Sequence, residues 1–230
     1  ERYSVRKNEF APLIECDELL RELIAQGGPM PNDYAQMNRT LRLLGDAVRA
    51  KVIARDDVLA YAQDVTNRHL EGTMQARALG KKYGYSGDFE IIEAIYTMQI
   101  AQEPHLRRWD LYFHSQAAPN AVRNRKAYFH QLLNSHSAGR AKAPLSVLNV
   151  ASGPARDVRE WVLDNPECDV FFDCVDAEIH AIERAKKLCA PFANRVEFYH
   201  RNVLRFLPAK GYELVWSAGL FDYLTDRTFV

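Results

Sequence analysis

The chain has 230 residues, its 30 Lys and Arg balance its 30 Asp and Glu, and 47% of it is apolar. A neutral chain has no electrostatic preference for nucleic acid or an anionic membrane, and no apolar run reaches the ~20 residues of a membrane span. No signal-peptide pattern is visible, and the four cysteines (Cys16, Cys168, Cys174, Cys189) lack finger or CxxC spacing, so a reduced, cytoplasmic protein is expected. The seven histidines show no clustered ligand spacing, and no metal is expected.

Residues 1 to 140 read as a helical domain. Leu13, Leu20 and Ile24 recur at helical spacing until Gly27-Gly28-Pro29 ends the run. A second helix is expected from Asn32 or Asp33 as N-cap, with Met37, Leu41, Leu44 and Val48 on one face. Asp56-Asp57 suits the cap of a third, carrying Val58, Tyr61, Ala62, Val65 and His69. The two glycines of residues 81–90, KKYGYSGDFE, break any helix, and Asp88 suits the next N-cap, ahead of Ile91, Ile92, Ile95, Tyr96 and Gln99. Pro104 interrupts, and Leu106 to His114 supplies further turns. Pro119 suits the first turn of another helix, with Val122, Tyr128, Phe129, Leu132 and Leu133 as its apolar side. The small, polar stretch 137–144 reads as a linker.

From Leu145 the period changes. Strand-like runs (SVLNV, DVFFDCV, RVEFYHR, YELVWS) alternate with helical ones (VREWVLD, IHAIERAKKL). In the second of these helices Ile179, Ile182, Ala185 and Cys189 share a face. Strand–helix–strand alternation with short loops implies a parallel α/β sheet with right-handed crossovers, filling residues 141–230. Ligands of such sheets bind beyond the carboxyl ends of the strands.

Candidate residues sit at each of those ends. After the first strand, Ala151-Ser152-Gly153-Pro154-Ala155 is a loop of small residues through which backbone amides can approach a ligand, or an ordinary strand-to-helix turn. Asp176 closes the second strand, 23 residues after Gly153, where it can accept from both ribose hydroxyls of a nucleotide-like ligand or cap the next helix. Asn202 follows the third strand and suits an adenine amine or a turn. The fourth strand ends in Trp216-Ser217-Ala218-Gly219-Leu220-Phe221-Asp222-Tyr223, whose small residues can pass beside a ligand while the rings wall off solvent or fill the core. The chain lacks GxGxxG, GxSxG and a P-loop.

The order VLNVASGPARD, CVDAEIHAIERA, RNVLRF, YELVWSAGLFDYL resembles class I S-adenosylmethionine-dependent methyltransferases. The resemblance implies a Rossmann-like α/β sheet, strands 1–4 of it present, preceded by an all-helical domain. It implies S-adenosylmethionine as cofactor, its methionine part received at Ala151, Ser152, Gly153 and Pro154, its ribose at Asp176 and Ala177, its adenine at Asn202 and Val203, with Ser217, Ala218 and Gly219 closing the site. The family's loop usually carries glycines and an acid where this chain has Ala151, Ala155 and Asn149. Alanine suits such a loop where its dihedrals are not left-handed, and it narrows the space for a ligand. GYSGDFEIIEAIY and HSQAAPNAVRNRKAYF further resemble a bacterial subgroup that makes a 3-hydroxypalmitic acid methyl ester signal, so that the resemblance covers residues 65–228.

That resemblance implies methyl transfer to a small molecule, with carboxyl O-methylation of a hydroxy fatty acid as the leading expectation. The sequence after the fourth strand lacks an NPPY-type motif, which disfavours methylation of DNA adenine or of glutamine. The helical domain is the expected lid. Tyr85, Asp88, Tyr96 and Tyr223 are candidates for the acceptor mouth, and Arg123 or Arg125 for an anionic acceptor; capping, core packing and a solvated helix face are the structural alternatives for these. A non-catalytic nucleotide-binding or interaction module and an NAD-dependent oxidoreductase remain open as other functions. The family's sheet continues beyond its fourth strand, so that strand is expected to be an apolar edge of a fragment, covered by a missing half or by a second copy.

Overall fold

The computed structural model describes residues 11–85, 87–138, 144–225 and 227. The chain packs as two compact units, Glu1–Asn120 and Ala121–Val230. The boundary expected near residue 140 lies outside the described residues.

The first unit is helical. Helix α1 (Ala11–Ala25) buries Cys16, Leu19 and Leu23, while Leu13, Leu20 and Ile24 of the expected face are only half-buried. Gly28 ends the run at φ +100°, where a Cβ would meet Cβ of Arg108 at 2.8 Å; only glycine fits both the dihedral and the space. Helix α2 (Tyr34–Arg49) buries Met37 and Leu44 but exposes Leu41. Asp33 precedes it without capping a helical amide; its carboxylate accepts instead from Met30 N at 2.8 Å. Helix α3 (Arg55–His69) has Ala54 at its N-cap, so Asp56 and Asp57 are first-turn acids that favour the helix dipole and are not caps.

A short helix α4 (Met74–Gly80), which no sequence spacing announces, starts from Thr73, whose hydroxyl accepts from Ala76 N. Helix α5 (Phe89–Tyr96) is capped by Asp88, and α6 (Pro104–Ser115) opens on its proline. Asp110 on α6 explains its own burial. Its two oxygens accept from Met74 N and Ala101 N, both at 2.7 Å, so the carboxylate ties α4 and the α5–α6 connection to one point.

The second unit is a parallel sheet. Its strands β1 (Leu145–Val150), β2 (Val170–Asp176), β3 (Val196–His200) and β4 (Leu214–Trp216) run in the order β3-β2-β1-β4. The register sets Asn149 beside Cys174 on one side and Trp216 on the other. Helix α7 (Ala117–Ser137) crosses the division between the units; α8 (Arg156–Asp164) and α9 (Ile179–Cys189) connect the strands.

Alternation along the strands divides the sheet into two faces. Leu145, Val147, Phe172 and Cys174 meet Phe129 and Leu133 of α7, Val158, Trp161 and Val162 of α8, and Ala185 and Cys189 of α9. Each large side chain buried there contributes about 1.5–3 kcal/mol. Tyr128 is one residue off the buried stripe of α7 and is 55% exposed; Ile179 starts α9 at 39% exposure, so neither joins the core expected for it. On the opposite face Leu148, Val150 and Val175 pack with Tyr199, Val203, Phe206 and Tyr212. Asp173 is buried in that face because Tyr212 Oη donates to it at 2.6 Å and Lys210 Nζ lies 3.0 Å away.

Candidate functional site

The β1–α8 loop turns on three left-handed residues, Ala151 (φ 52°), Gly153 (φ 54°) and Ala155 (φ 50°). The condition under which alanine suits such a loop is therefore not met, and each alanine stores about 1–2 kcal/mol of strain. The loop is held by two bonds from β2 and one of its own. Ser152 N donates to Val175 O at 3.2 Å, Ala155 N to Ser152 O at 3.1 Å, and Gly153 N to Asp176 Oδ2 at 2.8 Å. Ala155 is fully buried, so its methyl packs in the sheet core and burial offsets its strain; Ala151 is half-buried and has no such compensation of equal size.

Asp176 spends both oxygens on backbone. Oδ1 accepts from Glu178 N at 2.8 Å while Oδ2 holds Gly153. Burial raises its pKa above the ordinary carboxylate value, and the two amide hydrogen bonds pull the other way. Each oxygen keeps a second lone pair for a ligand hydroxyl. Ala177, next along, is exposed, and its carbonyl lies 3.0 Å from His200 Nε2.

Asn202 caps the short helical turn Val203–Arg205, its Oδ1 accepting from Leu204 N at 2.9 Å. That oxygen keeps a second lone pair, as those of Asp176 do, so the turn bond and acceptance from an adenine amine are compatible. Val203 is half-buried against Leu148, Val150 and Val175.

The last wall comes from β4 and α7. Trp216 stacks on Phe129 with ring centroids 4.8 Å apart and planes at 14°. One turn earlier on α7, Arg125 reaches the strand end: a Cβ at Gly219 would lie 3.5 Å from its Nη1 and 4.0 Å from Nη2. Ser217, Ala218 and Gly219 are half-buried, and Tyr223 is half exposed. Among the described residues at this end of the unit, Arg125 Nε, Asn149 Nδ2, Ser152 Oγ, Trp216 Nε1 and Ser217 Oγ are buried without a hydrogen-bond partner. Such groups are rare in a finished core, where buried polar atoms usually find a partner in the protein or in water.

The structure thus gathers the loop 151–154, Asp176, Asn202, residues 217–219 and Arg125 within the sheet unit. Arg123, on the same helix, is half-buried. Tyr85, Asp88 and Tyr96 belong to the helical unit. Asp88 there accepts from Glu90 N and Ile91 N, both at 3.0 Å, which accounts for its burial. Two residues are not legible from spacing. Asn149 is a polar residue at a buried position of β1, and Trp216 takes its place only once α7 is known to cover β4. Among the described residues no group of three or more His, Cys, Asp or Glu could hold a metal, and no helix is long and apolar enough to cross a membrane.

No family model and no curated protein matches the chain. Among solved structures it is similar to a possible exported protein from Bordetella parapertussis, at 20% identity and a TM-score of 0.56, over 96% of this chain and 64% of that one. The chain therefore spans about two thirds of the length of that protein, and the likeness is one of fold. Smaller overlaps occur with a SAM-dependent methyltransferase from Thiobacillus denitrificans in complex with S-adenosyl-L-homocysteine (19% identity, TM-score 0.35, 43% of this chain and 37% of that one). The plantazolicin methyltransferase BpumL in complex with a triazolic desmethyl analogue and SAH overlaps similarly (17% identity, TM-score 0.34, 55% of this chain and 48% of that one). The fold is Rossmann-like: a helical N-terminal part followed by a four-stranded parallel sheet with helices.

Proposed function

We propose that the sheet unit binds S-adenosylmethionine and that the protein moves its methyl group to a small-molecule acceptor, a hydroxy fatty acid carboxylate being the acceptor we favour. The observation that carries this reading is the clamp between Asp176 and Gly153, set among buried hydroxyls that lack partners. Ser152 Oγ and Ser217 Oγ fit the polar amino-acid end of such a cofactor, and the spare lone pairs of Asp176 fit its ribose hydroxyls. Asn202 Oδ1, with a lone pair to spare, would accept from the adenine amine. The left-handed Ala151 is the poorest fit, since its methyl takes space that a glycine would leave.

When bound, the cofactor supplies an electrophilic methyl group on a sulfonium. The residues then have to orient and dry the site, effects that together lower a displacement barrier by roughly 7–11 kcal/mol. Asp176 holds the loop, Gly153 lets the backbone come close, and the Trp216–Phe129 stack closes the α7 side to water. A carboxylate acceptor is already ionised at neutral pH, so no side chain has to take its proton. Within the sheet unit, Arg123 and Tyr223 are proposed as acceptor contacts. A reduced compartment suits the four free cysteines, of which Cys16, Cys174 and Cys189 are buried. A further strand, from this protein or a second copy, would cover the exposed Val215 edge of β4.

A second reading is a binding module without catalysis, favoured by the methyl of Ala151 in the cofactor loop. Calorimetric titration with S-adenosylhomocysteine and with NADH separates these readings. Binding of the first alone, followed by a methyl ester product from a 3-hydroxy fatty acid, supports the enzyme. Binding without product from any fatty acid supports the module, and binding of neither removes both.

A further inference from the structure

We infer that the helical unit carries a docking face for a second copy of this chain, a groove between α1 and α3 whose charged edges complement themselves under a two-fold rotation. The groove opens into a cavity of about 430 Å³ lined by both helices. Leu13, Ile14, Leu20 and Ile24 of α1 and Val65 of α3 make its lining largely apolar, and Ile14 is 45% exposed. A stripe of charge borders it on each side. Asp17 and Arg21 lie on α1, Asp64 and Arg68 on α3, and each arginine pairs at 2.7 Å with the aspartate one turn before it. The other acids of α1, Glu15, Glu18 and Glu22, are not among the described lining residues.

The direction of the two helices selects the partner. They run the same way: Tyr61 Oη donates to Asp17 at 3.0 Å, and further along both helices Leu70, the residue that ends α3, shares an apolar cluster with Leu23. Both edges of the groove therefore read negative, then positive, in one direction. The midpoints of the two charge pairs, Leu19 and Thr66, stand level to within about one turn. A two-fold axis crossing the groove at that level lays the helices of a second copy antiparallel on these. Asp17 then meets the second copy's Arg21 and Arg21 its Asp17, while Asp64 and Arg68 exchange partners in the same way. The rotation also sets Ile14 opposite the second copy's Ile24. A partner helix of one sign of charge would match half of each edge and oppose the other half, whereas a second copy matches all four positions. Exposed ion pairs contribute little each, so the apolar lining supplies affinity and the charges fix the register. Every residue of this face belongs to the helical unit, so the inference stands apart from the cofactor reading.

Sedimentation velocity on the full chain, with wild type expected as a dimer at micromolar concentration, tests this face. Asp64→Arg makes the α3 edge wholly positive and Arg68→Asp makes it wholly negative; both side chains are exposed, and neither change disturbs Asp17 or Tyr61. Each variant alone should dissociate at least about 10-fold more readily, because like charges then face each other across the axis. An equimolar mixture of the two should recover wild-type affinity as a one-to-one heterodimer. Ile14→Ser, which keeps every charge, should weaken the dimer by about 10-fold or more through lost apolar cover. Thermal midpoints show which variants are folded, and Ile14→Ser decides alone if a charge variant is not. A monomeric wild type overturns the inference. So does a dimer that folded charge variants, or Ile14→Ser, leave as tight as wild type, since association would then run through another surface such as the β4 edge. Charge variants that weaken the dimer yet fail to recover on mixing overturn it too, because the antiparallel exchange of Asp64 and Arg68 would be absent.

Discussion

Asp176 and Gly153 meet across the cleft end of the sheet, the aspartate Oδ2 accepting the glycine N–H at 2.8 Å. With Oδ1 on Glu178 N, one carboxylate fixes both the β1–α8 loop and the start of the segment that leads into α9. Asp176→Ala frees both amides, so hydrogen exchange at Gly153 and Glu178 should accelerate. Affinity for S-adenosylhomocysteine should fall by about 1–3 kcal/mol, the scale of lost charge-assisted hydrogen bonds. Faster exchange with unchanged affinity would leave Asp176 a loop anchor and nothing more.

The two strained alanines should respond differently to glycine. At Ala151 the substitution relieves about 1–2 kcal/mol of left-handed strain against roughly 0.5–1 kcal/mol of added chain entropy, for a net gain in stability of about 0.5–1 kcal/mol. At Ala155 it also deletes a fully buried methyl, worth about 0.8 kcal/mol before any cavity cost, so no gain is expected. Urea midpoints of the two variants check this. A stabilised Ala155→Gly would mean that its methyl adds little to the core.

Much of this arrangement is legible in the sequence because its causes are local. The change of period at Leu145, the small-residue loop and an acid at the end of β2 follow from composition and spacing, and the structure has the strands in those places. What escapes is set by long-range packing. Leu41 and Tyr128 are apolar at helical spacing, yet their exposure depends on where neighbouring elements stop. The dihedrals of Ala151 and Ala155 are imposed by bonds to Val175, Asp176 and Ser152 and by core packing, against the preference of alanine. Arg125 reads as one of several helix-surface cations until the β4 turn is placed beside it.

Asp88 offers a test that separates a cap from a ligand contact. It accepts from Glu90 N and Ile91 N and is buried. Asp88→Ala should cost about 1 kcal/mol, and Asp88→Ser, which can still cap, appreciably less. Thermal midpoints measure the stability. Methyl transfer that follows those midpoints assigns Asp88 to the helix; transfer lost in a stable Asp88→Ser protein would assign it to the acceptor.

Asp157 should make stability depend on pH in the direction opposite to a salt-bridged acid. Its carboxyl is buried in the first turn of α8, and burial is the largest influence, raising its pKa above 3.8 despite the Val158 N–H at 2.9 Å. A raised folded pKa means that the folded state binds more protons than the unfolded chain between the two values, so stability falls as pH rises through that window. Asp176, also raised, acts in the same direction. Asp157→Asn removes one of the two contributions. Relative to wild type the variant should gain stability as pH rises above about 4, and its own profile should be flatter. Urea unfolding across that range checks the slope. A variant that loses ground as pH rises would mean that the ionised carboxylate is net stabilised at the helix N-terminus, with the dipole outweighing burial.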